Sequence, residues 1–140
     1  MLLDDITDYL SSSGVGTVGD TIFKGLLPSN APEVCVIVYE TGGVQPIRAM
    51  SSAVGSVVVE RPRIQVVCRA GEYDYAIARS KAQQIYALLE GFSERTINNV
   101  TYKYIAAVQS PFLMSRDKDR RPAVVCNYDV MKTLSTSTST

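Results

Sequence analysis

The reactive side chains of this 140-residue chain restrict the chemistry it can perform, because the chain contains no histidine. Histidine is the commonest general base and metal ligand, so its absence removes every Ser–His or Cys–His catalytic pair. The three cysteines, Cys35, Cys68 and Cys126, are far apart, and each lies in an apolar, strand-like segment. An odd, scattered set of this kind argues against a disulfide framework or a paired-cysteine metal site. We expect three buried free thiols that pack as small hydrophobic side chains.

Two further groups of residues are candidates for nucleotide binding or for acid–base catalysis. Gly14, Gly16 and Gly19 resemble a dinucleotide-binding glycine motif, but they follow a predicted helix rather than a strand, and no helix begins after them. Glu60 and Glu72 are candidates for an acid–base pair, but nothing in the sequence brings them together or places a nucleophile beside them. The sequence therefore predicts no enzymatic activity, no metal site and no cofactor.

In the charged segment Arg116–Arg121, basic residues alternate with two aspartates. Its basic residues are Arg116, Lys118, Arg120 and Arg121. Two intervening aspartates halve the positive field, so we expect a solvated hairpin turn. The alternative is a weak contact site for a phosphate or for a partner protein.

Composition indicates one ordinary globular domain, with 46% hydrophobic and 20% charged residues. Fourteen basic residues balance fourteen acidic ones, so the overall charge does not indicate binding to nucleic acid or to an anionic membrane. No segment approaches the length of about 18 apolar residues that a membrane span needs. The first ten residues carry acidic rather than basic side chains, which is atypical of a secretory signal. We therefore expect a protein that is made and kept in a cytoplasm.

Helical periodicity predicts two helices. The first covers Leu2–Ser13 and ends at Gly14, a residue that readily adopts the left-handed conformation of a helix cap. The second covers Asp74–Glu90 and ends before Gly91. Its predicted buried face consists of Tyr75, Ala78, Ala82, Ile85 and Leu89.

Apolar runs and alternation predict strands before and after the second helix. The first three lie around Thr21–Leu27, at Val34–Tyr39 and at Arg63–Arg69. Val34–Tyr39 is apolar at both alternating positions, so we expect cover on both of its faces. Pro62 cannot donate a ladder hydrogen bond, which predicts a bulge or a strand edge at Arg61–Pro62.

The C-terminal part of the chain predicts a hairpin turn at Ile97–Val100, with strands at Val100–Gln109 and Ala123–Met131. The predicted inward residues of the first strand are Tyr102, Tyr104, Ala106 and Val108, and those of the second are Val124, Cys126, Tyr128 and Val130. The whole predicts an α+β domain at residues 1–132, with a mixed or antiparallel sheet of about five to six strands and both helices on one face. Residues 133–140, rich in serine and threonine, predict a disordered tail.

The segment Thr41–Ser56, between two apolar runs, shows neither helical nor alternating periodicity. Loops of this length without secondary structure are uncommon in small domains and are usually functional. We expect it to be mobile in the monomer and ordered against a neighbouring subunit or another partner. The candidate contact residues are Gly42, Gly43, Gln45, Arg48 and Met50. The alternative is a plain solvent-exposed loop with no partner.

Three stretches in order carry a resemblance to a known family. They read LLDDITDYL, then VYETGG followed by ERPRIQVVCRAGEYDYAIARSKAQQIYALLEG, then IAAVQSPFLMSRDKDRRPAVVCNYDVM. Together they resemble the tail-terminator, or tail-completion, proteins of long-tailed bacteriophages, which are often labelled minor capsid proteins. The resemblance extends from Leu2 to about Met131.

The resemblance implies an α+β structural protein that forms a six-membered ring on the tail tube, with no catalytic residue or cofactor. The ring would end tube polymerisation and contact the head-completion proteins of the neck, in a virion assembled in the host bacterial cytoplasm. DNA would pass through its lumen without specific binding, which a balanced charge favours because clustered basic residues would hold the phosphates. Two alternatives stay open: a head-closure or connector protein on the portal side, and an α+β binding domain of host origin with no assembly role.

Overall fold

A computed structural model describes residues 2–48, 57–98, 100–117 and 119–133. The side chains of residues 44–48, 57, 58, 93 and 115 lie outside that description. In chain order the elements are α1 (Leu2–Ser12), β1 (Ile22–Lys24), β2 (Cys35–Arg48), β3 (Val57–Arg69), α2 (Tyr75–Leu89), β4 (Phe92–Ile97), β5 (Val100–Ala107), β6 (Phe112–Arg116) and β7 (Pro122–Thr133). The predicted Ser/Thr tail lies outside the described residues from residue 134 onward.

The described strands form one mixed sheet in the order β1-β2-β3-β7-β5-β4. β1 is parallel to β2, and the other pairs are antiparallel. β5 and β6 lie one after the other along the same edge of β7, because Ala107 is opposite Tyr128 and Phe112 is opposite Val125. The predicted α+β class is confirmed. The sequence did not reveal β6, because this strand of five residues is confined between Pro111 and the charged turn.

Both helices cover one face of the sheet, as the sequence predicted. Ile6 of α1 and Ile85 of α2 join one buried cluster with Val66 of β3 and Cys126 of β7. A smaller cluster on the opposite face includes Cys35 and its neighbours. The central part of β2 is therefore covered on both faces, as its apolar composition predicted. All three cysteines are buried and free, which confirms their prediction as core side chains.

The predicted inner face of α2 is confirmed except at its first residue. Its buried residues are Ala78, Ala82, Ile85 and Leu89. Tyr75 was predicted to be buried, but it is 38% exposed, so that prediction is wrong. Helical side chains lean toward the N-terminus, so the side chain of the first helical residue points past the turns that cover the sheet.

A bulge in β5 changes which of its residues face the core. Tyr102 and Ile105 are buried, whereas Tyr104 and Val108, both predicted to point inward, are exposed. The register with β7 shifts between Tyr102 and Tyr104, so one extra residue reverses the alternation after Tyr102. The predicted inner face of β7 has no such interruption and is confirmed at all four positions.

The described part of the predicted loop at Thr41–Ser56 is a strand. β2 continues through Arg48 and pairs with β3, so the loop prediction is wrong for residues 41–48, whereas residues 49–56 lie outside the described residues. Thr41 is opposite Arg63 and Val44 is opposite Arg61, so β2 carries one extra residue at the level of Pro62. The bulge predicted at Arg61–Pro62 is thus present at that level, but its extra residue belongs to the neighbouring strand.

Gly43 is required by this bulge. A Cβ atom at Gly43 would overlap the carbonyl oxygen of Arg61 and the Cα atom of Pro62. Real Cβ atoms do not approach backbone atoms so closely, and only glycine lets the two strands meet here. The bulges of β2 also explain why alternation could not reveal this strand, since each one reverses the inward and outward positions.

Candidate assembly surfaces

The end of the β2–β3 hairpin carries the candidate partner contacts. Gly42 and Gly43 are exposed at the bulge, and a Cβ atom at Gly42 would meet nothing within 4 Å. Gln45 and Arg48 follow on the same strand, although their side chains lie outside the described part of the chain, as does the whole of Met50. The structure thus places four of the five predicted residues on one strand.

The outer edge of this strand is open over most of its length. β1 pairs with β2 only from Val36 to Val38. From Tyr39 to Arg48, β2 has β3 on one side and no partner on the other among the described strands. Unpaired backbone N–H and C=O groups of this kind are a template for pairing with another chain.

The charged turn between β6 and β7 is held together by its own ion pairs. Asp117 Oδ1 accepts hydrogen bonds from the backbone N–H groups of Asp119 and Arg121, at 2.9 and 3.0 Å. Arg121 Nε donates to Asp117 Oδ2 at 2.8 Å. Although partial desolvation raises it, the pKa of Asp117 lies below its ordinary value, because the N–H groups and guanidinium of Arg121 stabilise the carboxylate.

The other basic residues of this turn contact the segment that precedes α2. Arg116 Nη1 donates to the carbonyl oxygens of Glu72 and Arg120, at 2.8 and 2.7 Å. Arg120 Nη2 lies 2.6 Å from Glu72 Oε2. Lys118 lies outside the described residues. The sequence prediction of a solvated turn agrees with the exposure of Arg116 and Arg120.

The fold does not bring the two candidate acid–base residues together. Glu60 lies near the start of β3 and pairs with Lys132 at 3.2 Å, whereas Glu72 lies beyond the end of β3 and pairs with Arg120. Within the described ranges, no three His, Cys, Asp or Glu side chains are placed to hold a metal ion. No helix in the same ranges is long and apolar enough to cross a membrane.

Two buried ionisable side chains of the core, Cys68 and Asp5, take part in packing and in hydrogen bonding between elements. Burial raises the pKa of Cys68 to about 12, so its thiol is protonated at neutral pH. Asp5 is only 1% exposed, and it accepts hydrogen bonds from the Tyr102 hydroxyl at 2.5 Å and from the Asn98 amide at 2.7 Å. These bonds fasten α1 to the β4–β5 hairpin. Sequence reasoning missed this cluster, because its members are more than ninety residues apart.

Residues 9–133 match the sequence family of bacteriophage tail terminator proteins. The chain belongs to that family. Its role is therefore structural, in a phage tail, and the family resemblance stated from the sequence is confirmed.

Solved structures share the fold of this tail terminator family member. A chain in the virion of a native gene transfer agent particle superposes with a TM-score of 0.68 and 11% identity, covering 95% of both chains. A second solved chain superposes with a TM-score of 0.54 and 17% identity, over 92% of this chain and 89% of its own. Among curated proteins, no significant match to the sequence is found.

One surface of the tail terminator chain was not predicted from its sequence. On the sheet face opposite the helices, Arg63 Nε lies 2.6 Å from Asp129 Oδ1. Next to this pair, Gln65 Nε2 donates to Asn127 Oδ1 at 3.2 Å. The two pairs join β3 to β7, so the charge of Arg63 has its counter-charge on the neighbouring strand. Polar residues at alternate positions of both strands were the available signal, but the strand pairing could not be read from the sequence.

Proposed function

We propose that the chain assembles into a homohexameric ring at the head-proximal end of the tail tube. There it ends tube polymerisation and joins the tail to the head or neck, so that the mature protein is part of the virion after assembly in the bacterial cytoplasm. The observation that carries this proposal is the match of residues 9–133 to the tail terminator family.

The β2–β3 hairpin supports the proposed contact with the next subunit or with the tail tube protein. Beyond Val38 the outer edge of β2 has no partner among the described strands, and the bulge at Gly42–Gly43 changes the local twist of the hairpin. An edge of this kind offers backbone hydrogen bonds to an incoming strand. We assign this contact to Gly42, Gly43, Gln45, Arg48 and Met50.

The charges of the chain suit a ring through which DNA passes without being held. The formal net charge is zero. On the sheet face opposite the helices, Arg63 is neutralised by Asp129 at 2.6 Å. Cations that are already paired release fewer counterions from DNA and therefore bind it weakly.

The β6–β7 turn is the candidate contact for head-completion proteins of the neck. Arg116 and Arg120 are exposed there, while Arg121 is engaged with Asp117 and Asp119. The guanidinium group of Arg116, which bonds only backbone carbonyls, is available to a carboxylate of another protein, and Lys118 is available by its sequence position. Arg120 already pairs with Glu72, so a neck protein would have to share or displace that pair. Exposed ion pairs of this kind contribute less than about 1 kcal/mol each, so the turn would orient the neck protein more than it would bind it.

Electron microscopy of tails assembled with and without the protein tests the proposal. We expect tubes of uniform length, each ending in a ring, when the protein is present, and tubes of uncontrolled length when it is missing. Length control that persists without the protein would refute the terminator role. Binding of the purified protein to portal-bearing heads, and not to tube ends, would instead support the head-closure or connector function.

A further inference from the structure

An apolar groove lies beside β1, at one edge of the sheet. It encloses about 380 Å³ and is lined mainly by Val18, Ile22, Phe23, Leu26 and Pro28. Leu26 is 77% exposed, so a large apolar side chain is in contact with solvent at the mouth of the groove. β1 has only three residues and leaves little backbone for a partner strand, so side-chain packing would dominate any contact here.

An exposed apolar edge lies on the other side of the sheet, at β6. Phe112, Leu113 and Met114 are consecutive and are 41%, 44% and 50% exposed. β6 pairs with β7 only, so its outer backbone groups have no partner among the described strands. β4, the terminal strand of the sheet on that side, is protected by the charged residues Glu94 and Arg95. The exposed residues Phe112–Met114 of β6 include none of the charged residues that usually prevent pairing at an edge.

The charges beside the two surfaces are complementary. Near the groove, Asp20 and Glu40 are exposed and have no ion pair among the described residues. Near β6, Arg79 donates to the carbonyl oxygen of Pro111, and Arg116 donates to backbone carbonyls only. Lys24, which also lines the groove, is paired with Asp4 at 2.6 Å, so Asp20 and Glu40 keep no cation of their own at this edge. The β6 edge presents two guanidinium groups that are not paired with a carboxylate. Charges arranged in this way guide association and discourage contact between two identical edges.

We propose that β6 of one copy of the chain packs into the groove beside β1 of the next copy. Because the two surfaces differ and lie at opposite edges of the sheet, the contact is head-to-tail, and its repetition closes a ring when the rotation between subunits allows it. The inference rests on the proposed ring function and names the surfaces that form the ring. It leaves the β2–β3 hairpin free for the tail tube.

Three lysine variants test this contact, with the wild-type chain as reference. Met114→Lys alters β6, Leu26→Lys alters the groove, and Ile77→Lys changes a comparably exposed apolar residue on α2 as the matched control. Circular dichroism and thermal unfolding first establish that each variant is folded. Assembly is then measured by mass photometry in solution and by electron microscopy on tail tubes. If a lysine variant fails to fold, Met114→Ser or Leu26→Ser replaces it.

We expect rings from the wild type and from Ile77→Lys, and monomers from Met114→Lys and from Leu26→Lys alone. An equimolar mixture of the two defective variants should form dimers and nothing larger, because each pair retains one intact β6 and one intact groove. Rings formed by both edge variants would overturn the inference while leaving the proposed function intact. Loss of assembly in Met114→Lys alone would overturn the groove as the partner of β6. A wild-type chain that stays monomeric and does not bind tube ends would refute the proposed function and the inference together.

Discussion

Two fully buried tyrosines allow the energy of one hydrogen bond to be measured against an internal reference. The Tyr102 hydroxyl donates to the buried carboxylate of Asp5 at 2.5 Å, whereas the Tyr128 hydroxyl has no nitrogen or oxygen partner among the described atoms and only the Cys126 thiol beside it. Both side chains lie in the same core cluster. The substitutions Tyr102→Phe and Tyr128→Phe therefore remove the same atom from similar surroundings, with different losses of bonding.

The expected loss of stability in Tyr102→Phe follows from the hydrogen bond that Asp5 loses. Asp5 keeps the Asn98 amide but loses the hydroxyl donor, and with 1% exposure it cannot replace that donor by bulk water. Hydrogen bonds to charged groups contribute about 1.5–3 kcal/mol, so we expect a loss near 2 kcal/mol in the free energy of unfolding. For a domain of this size, that loss lowers the melting temperature by about 5–10 °C. Tyr128→Phe should be neutral or slightly stabilising, because it removes a buried polar atom whose one polar neighbour is a thiol, a weak hydrogen-bonding group.

Urea denaturation and calorimetry of the two variants measure both effects, with Tyr104→Phe as a control at an exposed position. Equal losses for Tyr102→Phe and Tyr128→Phe would refute the reasoning, since the loss would then come from packing rather than from the bond to Asp5. Burial and the bond to Asp5 also raise the pKa of Tyr102, so its hydroxyl stays protonated in the folded protein well above the ordinary pKa of tyrosine.

Three other perturbations have expected outcomes. Gly43→Ala should destabilise the protein by about 1–3 kcal/mol, because the added Cβ atom meets the backbone of β3. At Gly42 the added Cβ atom meets open space, so Gly42→Ala should change the stability by less than about 1 kcal/mol. Equal melting temperatures for the two variants would contradict this interpretation of the bulge. Ala82→Leu should cost about 1–3 kcal/mol by overpacking the buried face of α2, while Ala87→Leu on the exposed face should stay within about 0.5 kcal/mol in urea denaturation. Burial raises the pKa of Cys68 from 9.0 to about 12, so the protonated Cys68 thiol stabilises the folded state fully below pH 9. As the pH rises from 9 toward 12, this contribution to the free energy of unfolding is lost by about 1.4 kcal/mol per pH unit. Unfolding measured from pH 8 to 11 should show a smaller slope in Cys68→Ala, and an unchanged slope would exclude this thiol as the cause.

The sequence predicted those elements in which one periodicity continues without interruption. The buried faces of α2 and β7 follow directly from helical and alternating spacing, and the apolar composition of the central part of β2 correctly predicted cover on both faces. Prediction failed where an extra residue reverses the alternation, as at Gly43 in β2 and after Tyr102 in β5. It also failed at β6, because five residues are too few for periodicity to separate a strand from a connecting loop.

Only part of the candidate surfaces could be predicted from the sequence. Length and glycine content drew attention to the segment beginning at Thr41, but its secondary structure through Arg48 depends on pairing with β3, a long-range interaction that local pattern does not encode. The bond between Asp5 and Tyr102 joins residues 97 positions apart. The exposed edge at β6 can be recognised only when the neighbouring strands are known, since the same apolar residues could equally have been buried.

The position of β7 in the sheet has a consequence for biosynthesis. This strand lies between β3 and β5, although β3 is made more than fifty residues earlier on the ribosome. Until Pro122–Thr133 has emerged, the inner edges of β3 and β5 have no partner, and the two halves of the nascent chain share no continuous sheet. Long-range strand pairing of this kind is slow and exposes open edges to aggregation. Folding of the sheet is therefore coupled to the synthesis of β7, and a chain that stops before Pro122 lacks the strand that joins its two halves.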